Sequence, residues 1–180
     1  MSANLETSIP SAETREAELY ERLTALGIAW TTHAHAPVFT VEEAQALRGR
    51  LPGTHTKNLF LEDRKGALWL VCAREELRID LNALAKAIGA PRFSFGSPGL
   101  LAATLGILPG AVSAFALMND REAKVRAIFD DGMLIDDPIN FHPLRNDRTT
   151  AIAAADLLRF VRACHGEPLI AVLPGKTALS

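Results

Sequence analysis

The chain has 180 residues, 48% hydrophobic and 22% charged, with a formal net charge of −2; that suits one sizeable core and is too short for two ordinary domains with a linker. The balanced charge gives no global basic field for gathering phosphates, although a local patch of Arg48, Arg50, Lys57, Arg64, Lys65 and Arg74 is available to a single-stranded end. Cys72 and Cys164 make neither a disulfide framework nor a zinc-binding spacing, no apolar run reaches bilayer length, and the acid-bearing N-terminal stretch without an apolar core predicts a cytoplasmic protein.

Residues 1–12 read as a polar, flexible N-terminus, and 13–168 as one domain. From 13 to 26 the apolar positions Ala17, Leu19, Leu23 and Leu26 recur at helical spacing, and Gly27 supplies the stop. Residues 28–35 form a predicted strand with His33 and His35 on one face. A His-x-His pair can ligate a metal, but it needs a further ligand and none is evident nearby, so no metal and no cofactor is assigned. Thr40 and Glu43 make a capping box for a helix running to about Leu47.

The stretch Gly53–Asp63, GTHTKNLFLED, delivers Lys57 and Asn58 into an apolar strand. An Asp63-Arg64-Lys65-Gly66 turn leads to a second apolar run from Ala67 to Cys72, which predicts a β-hairpin. Asp80 caps a helix over 81–88, and Ser97-Pro98 opens another that ends at Gly106. Residues 93–95, 115–118, 125–129, 139–144 and 149–152 are predicted strands, with Asp131-Gly132 as a hairpin signal. Residues 157–164 close the domain as an amphipathic helix, and 169–180 read as a tail. The sum is an α+β fold, a largely antiparallel mixed sheet with surrounding helices. There is no Gly-x-Gly-x-x-Gly, phosphate loop or Gly-x-Ser-x-Gly elbow, so common nucleotide-fold and serine-hydrolase chemistries lose their support.

Three segments carry candidate chemistry: Lys57-Asn58, the Pro109–Ala114 turn, and Phe141-His142-Pro143. Turn amides around Gly110 can bind an oxyanion or a carbonyl oxygen, and a glycine there admits close approach of a ligand. His142 suits a positioned donor or a general base. Each segment taken singly also fits an ordinary turn, strand start or core-edge histidine.

The ordered set resembles the YbaK/ProX-like prolyl-tRNA editing family, over roughly Trp30 to Cys164. The set comprises Lys57-Asn58, Leu105-Gly106, Pro109-Gly110, Ser113, Asn119-Asp120, Phe141-His142-Pro143-Leu144, Asn146 and Thr149. It looks most like the free-standing alanyl-tRNA(Pro) deacylases. The resemblance implies the family's editing-domain fold and hydrolysis of the ester joining alanine to tRNA(Pro). Its implied partners are the acceptor end of a mischarged tRNA(Pro) and prolyl-tRNA synthetase. A cysteinyl-tRNA(Pro) deacylase and a non-catalytic tRNA-binding module are the alternatives.

By the same resemblance Lys57 holds a terminal phosphate or stabilises an oxyanion, Asn58 orients the substrate, and His142 binds it or assists proton movement. Gly110, Ala111, Val112 and Ser113 match a Gly-x-x-x-Pro loop that grips the aminoacyl group, with Ala114 in place of the proline. Pro37, Val38 and Phe141 are expected as pocket walls. In related deacylases the tRNA's terminal hydroxyl takes part in activating water, in keeping with a sequence that offers no evident nucleophile.

Overall fold

The hairpin expected at Asp63 is the spine of the sheet. The computed structural model describes residues 9–37, 40–48 and 51–176. In chain order the elements are helix α1 (Ala12–Ala25), strand β1 (Thr31–Ala34), α2 (Val41–Arg48), β2 (Thr54–Asp63), β3 (Leu68–Arg74), α3 (Leu81–Ala87) and β4 (Phe93–Phe95). There follow α4 (Pro98–Leu105), a 3-10 helix (Ala114–Asn119), β5 (Val125–Asp130), a 3-10 turn (Asp131–Leu134), β6 (Ile139–Phe141), β7 (Arg148–Ile152), α5 (Ala154–Cys164) and β8 (Leu169–Ala171).

The eight strands run in the order β1-β7-β6-β2-β3-β5-β8, with β4 paired to the far end of β2. Four of the seven strand pairings are antiparallel, and β2–β6, β3–β5 and β5–β8 are parallel. This is the mixed α+β sheet expected. Asp63 closes the β2–β3 turn: its carboxylate accepts from the Lys65 and Ala67 amides at 2.8 and 3.1 Å and from the Trp69 indole at 3.1 Å.

The period-2 alternation of β2 and β3 divides the apolar side chains between two cores. Phe60, Leu70 and Cys72 face a core completed by Leu19 and Leu23 of α1, Leu101 and Leu105 of α4, and Phe160 of α5. Leu61, Trp69 and Val71 face the other, under Leu84 and Ala85 of α3 and Phe93 of β4.

Helix starts follow the capping chemistry in the sequence. Thr40 and Glu43 bond reciprocally at 3.1 and 3.2 Å, Asp80 accepts from the Asn82 and Ala83 amides, and Ser97 accepts from Leu100. Helix α5 begins on Ala153, which has no capping side chain; Asp137, from the β5–β6 connection, accepts from the Ala154 amide at 2.7 Å instead.

Three local expectations change. The segment 115–118 is a 3-10 helix rather than a strand: Ala114, Phe115, Ala116 and Leu117 are all fully buried, and a continuous apolar run carries no period to separate the two states. Asp131-Gly132 is not a hairpin turn. The chain crosses from β5, beside β3, to β6, beside β2. Gly132 instead packs under the Arg74 side chain, where a Cβ would stand 2.5 Å from the guanidinium carbon and displace it. The segment Leu169–Ala171 is an edge strand parallel to β5 rather than part of a tail.

Candidate active site

Register alone brings two of the expected residues together. β2 and β6 are parallel, with His55 opposite Asn140. Lys57 and His142 each lie two residues further along, so both project from the same face of the sheet, on neighbouring chain segments. β6 pairs with β7 through Phe141 and Thr150, and β7 with β1 through Thr149 and His33. The row therefore continues from His142 to Thr149 and on towards His33 and His35.

The hydrogen bonds along this row assign the imidazole tautomers. His142 Nδ1 lies 2.8 Å from the Arg148 carbonyl oxygen, which can only accept, so Nδ1 carries the proton and Nε2 keeps its lone pair. His35 Nδ1 donates to the Ala36 carbonyl at 2.7 Å, and its Nε2 accepts from the Thr149 hydroxyl at 2.9 Å. The two rings are 6.1 Å apart, centre to centre. Burial pushes the His142 pKa down from the ordinary 6.5, with His35 adding to the shift and the bond to Arg148 opposing it. His142 thus presents a neutral Nε2 acceptor near pH 7, suited to hold or take a proton.

The loop after β6 is fixed from the opposite side of the sheet. Arg145 clasps Asp147 through Nε and Nη2 and reaches Glu16 of α1 at 2.8 Å. Its side chain is only 10% exposed. Arg15 Nε donates to the Leu144 carbonyl at 3.0 Å, and Leu144 is held with φ +64°, an unusual conformation for a leucine. The bonds to Asp147 and Glu16 raise the Arg145 pKa, and Arg145 in turn holds the Asp147 carboxyl below its usual range. Helix α1 thereby sets the segment from which His142 projects.

Asn58 departs from the expected cluster. Alternation turns its side chain to the face opposite Lys57, and its Oδ1 is buried without a hydrogen-bond partner. Gly110 is exposed with φ +90° and packs by Asn146, whose Nδ2 would be 3.8 Å from a Cβ on the glycine. The turn therefore abuts the loop that carries His142. Ala111 is buried and Val112 half-buried, while Ser113 is fully buried and its Oγ caps the Phe115 amide. Phe141 is not a pocket wall: it is 2% exposed and packs edge-on against Phe115 in the core, because alternation sends it away from His142. Pro37 is exposed, and Val38 lies outside the described residues.

His35, Thr149, Arg15, Glu16 and Arg145 were not singled out as site residues from sequence. Thr149 enters the sequence reading only as a member of the ordered set, and His35 only as half of a His-x-His pair to which no metal is assigned. Among the described residues no group of three or more His, Cys, Asp or Glu could hold a metal ion. In the basic patch, Arg74 is tied to the buried Asp130 at 2.7 Å, and Arg50 lies outside the described residues. No described helix is long and apolar enough to cross a membrane.

Comparison with known proteins identifies the family and the fold. Residues 35–160 match the profile of the aminoacyl-tRNA editing domain. The chain is 38% identical over 155 residues to prolyl-tRNA synthetase associated domain-containing protein 1 of Danio rerio, covering 85% of this chain and 84% of the relative. It is 36% identical over 143 residues to the prolyl-tRNA editing protein ProX of Acetoanaerobium sticklandii, covering 79% of this chain and 87% of the relative. The fold superposes on the crystal structure of a candidate trans-editing enzyme for prolyl tRNA synthetase with a TM-score of 0.69 at 18% identity, covering 93% of this chain and 99% of that one. That low identity speaks for the fold alone, whereas the sequence matches speak for descent. The chain belongs to the aminoacyl-tRNA editing domain family, in its YbaK/ProX-like prolyl-tRNA editing branch.

Proposed function

We propose that the protein hydrolyses the ester linking a wrong amino acid, alanine, to the 3′ end of tRNA(Pro). The observation that carries this is the row Lys57–His142–Thr149–His35 on one face of the sheet, with an ammonium beside a neutral imidazole whose Nε2 lone pair is directed by its bond to Arg148. On a domain of this family, that pairing suits an acyl transfer to water.

Attack on the ester carbonyl places negative charge on its oxygen. Lys57 neutralises that charge or the adjacent phosphate, and His142 Nε2 accepts a proton from water or from the tRNA's terminal hydroxyl. His142 then returns the proton to the leaving ribose oxygen, so that the products are free alanine and intact tRNA. The Gly110–Ser113 turn, next to the His142 loop through Asn146, grips the aminoacyl group. Discarding alanine after charging answers a physical limit: a pocket built for proline rejects the smaller side chain by only about 1–3 kcal/mol.

The test is deacylation of alanyl-, cysteinyl- and prolyl-tRNA(Pro) side by side. Rapid loss of alanine with prolyl-tRNA spared supports the proposal. Turnover of cysteinyl-tRNA alone reassigns the cargo, and binding without turnover identifies a non-catalytic module.

A further inference from the structure

The sheet is interrupted on one side of β2. β6 pairs with it only at Thr54 and His55, and β4 only at Leu61, Glu62 and Asp63, with a further bond from the Gly96 amide to the Phe60 carbonyl at 3.0 Å. Phe95 stands at the rim of this interval. It is opposite Leu61, so its ring belongs to the face of β2 that carries Leu59 and Lys57.

The ring is 68% exposed, while its neighbours Leu61 and Phe93 are buried. Its mount is nonetheless rigid. The backbone is paired to β2 over all three residues of β4, and the next residue, Gly96, passes so close to Phe60 that a Cβ would be 2.4 Å from the ring. Only glycine permits that approach. Beyond Phe95, away from Lys57, the strand ends carry exposed Arg92 on β4's side and Arg64 and Lys65 in the β2–β3 turn.

We propose that Phe95 is a stacking platform for an unpaired base at the 3′ end of the tRNA. On this inference the strand lies along β2, with its ester at Lys57 and His142 and its phosphates directed towards Arg64, Lys65 and Arg92. Four residues separate Lys57 from Leu61, about 13 Å along a strand, which a short single-stranded end spans. An aromatic face fits any base, and cations beyond it fit the backbone, the combination by which single strands are held without sequence readout. The inference rests on the deacylase reading for the position of the ester, but not for the stacking itself.

The experiment uses the full chain with Phe95→Ala, Phe95→Leu and Phe95→Trp. The exposed position makes all three compatible with the fold, and thermal melting verifies this. An uncharged tRNA(Pro) acceptor hairpin carries 2-aminopurine at each unpaired 3′ position in turn. Quenching on binding is expected at one position with wild type and Phe95→Trp, and is lost with Phe95→Ala and Phe95→Leu.

With alanyl-tRNA(Pro), Phe95→Ala is expected to raise KM about tenfold with kcat changed by less than about twofold, and Phe95→Trp to restore KM. Quenching that persists in Phe95→Ala, or is absent from wild type at every position, overturns the proposal, as does an unchanged KM. If wild type deacylates no mischarged tRNA, the proposed activity falls and the quenching arm alone decides the stacking role.

Discussion

His142 donates its Nδ1 proton to the Arg148 carbonyl oxygen at 2.8 Å, leaving Nε2 as the ring nitrogen that keeps its lone pair. Arg148 belongs to β7, so the bond spans the connection between two neighbouring strands. The tautomer is therefore written into the sheet.

This bond and the burial around it set the pH dependence. Protonation removes the Nε2 lone pair, and the folded pKa lies below the ordinary 6.5. The acid limb of kcat/KM for deacylation is thus expected below pH 6.5, and in His142→Ala the residual rate should lose that limb. Stability shifts in the same sense: the unfolded imidazole takes up a proton first, so stability declines as pH falls from the unfolded value through the lower folded one. A pH–rate profile between pH 5 and 8 checks the first claim. A limb at or above 6.5 in the wild type would show that another group controls the step.

In the proposed reaction Lys57 supplies the positive charge. Lys57→Ala is expected to slow single-turnover hydrolysis by about 10²–10³-fold, the usual effect of removing a donor that meets developing negative charge. Circular dichroism should show an unchanged fold, because Lys57 is half-buried on a strand whose backbone is held by pairing with β3 from Thr56 to Glu62. A rate within a few-fold of wild type would remove the lysine from the chemistry.

Arg145 joins the His142 loop to helix α1. Arg145→Ala would leave Glu16 and Asp147 without their shared cation, at an expected cost of about 3 kcal/mol. Urea denaturation measures that loss. Because Arg145 holds the loop and does not itself lie in the proposed reaction path, Arg145→Lys should recover part of the stability, though a lysine cannot clasp Asp147 through two nitrogens.

Gly53 tests the β2–β6 register that places Lys57 beside His142. Its φ is +95°, and a Cβ would lie 2.1 Å from the Pro138 carbonyl oxygen. The Thr54 amide bonds to that same oxygen at 2.9 Å. Gly53→Ala is expected to destabilise the chain by about 2 kcal/mol or more, with the loss read from denaturant midpoints. An unaffected midpoint would mean that the turn is free to move away.

The features legible in the sequence are those governed by neighbours in the chain. Capping pairs such as Thr40 and Glu43, and the Asp63 turn between β2 and β3, need only local chemistry. The features that were not legible depend on distant partners. Gly132 looked like a turn residue but accommodates Arg74 from another strand. The strand β8 is three residues with no alternation to betray it, and it exists because β5 offers a free edge. His35 stood out only as half of a His-x-His pair, whereas its partner Thr149 is 114 positions away. Arg145 reaches Glu16 across 129 positions. Lys57 and His142 were identified by resemblance, and it is the parallel register of β2 and β6 that puts them on one face.

The central claim is that this face removes alanine, and not proline, from tRNA(Pro). Single-turnover hydrolysis of alanyl-tRNA(Pro) and prolyl-tRNA(Pro) by wild type, Lys57→Ala and His142→Ala measures it most directly. Fast release of alanine by wild type, slow release by both variants and an intact prolyl ester throughout is the predicted result. Equal rates for all three proteins, or equal loss of the alanyl and prolyl esters, would contradict it.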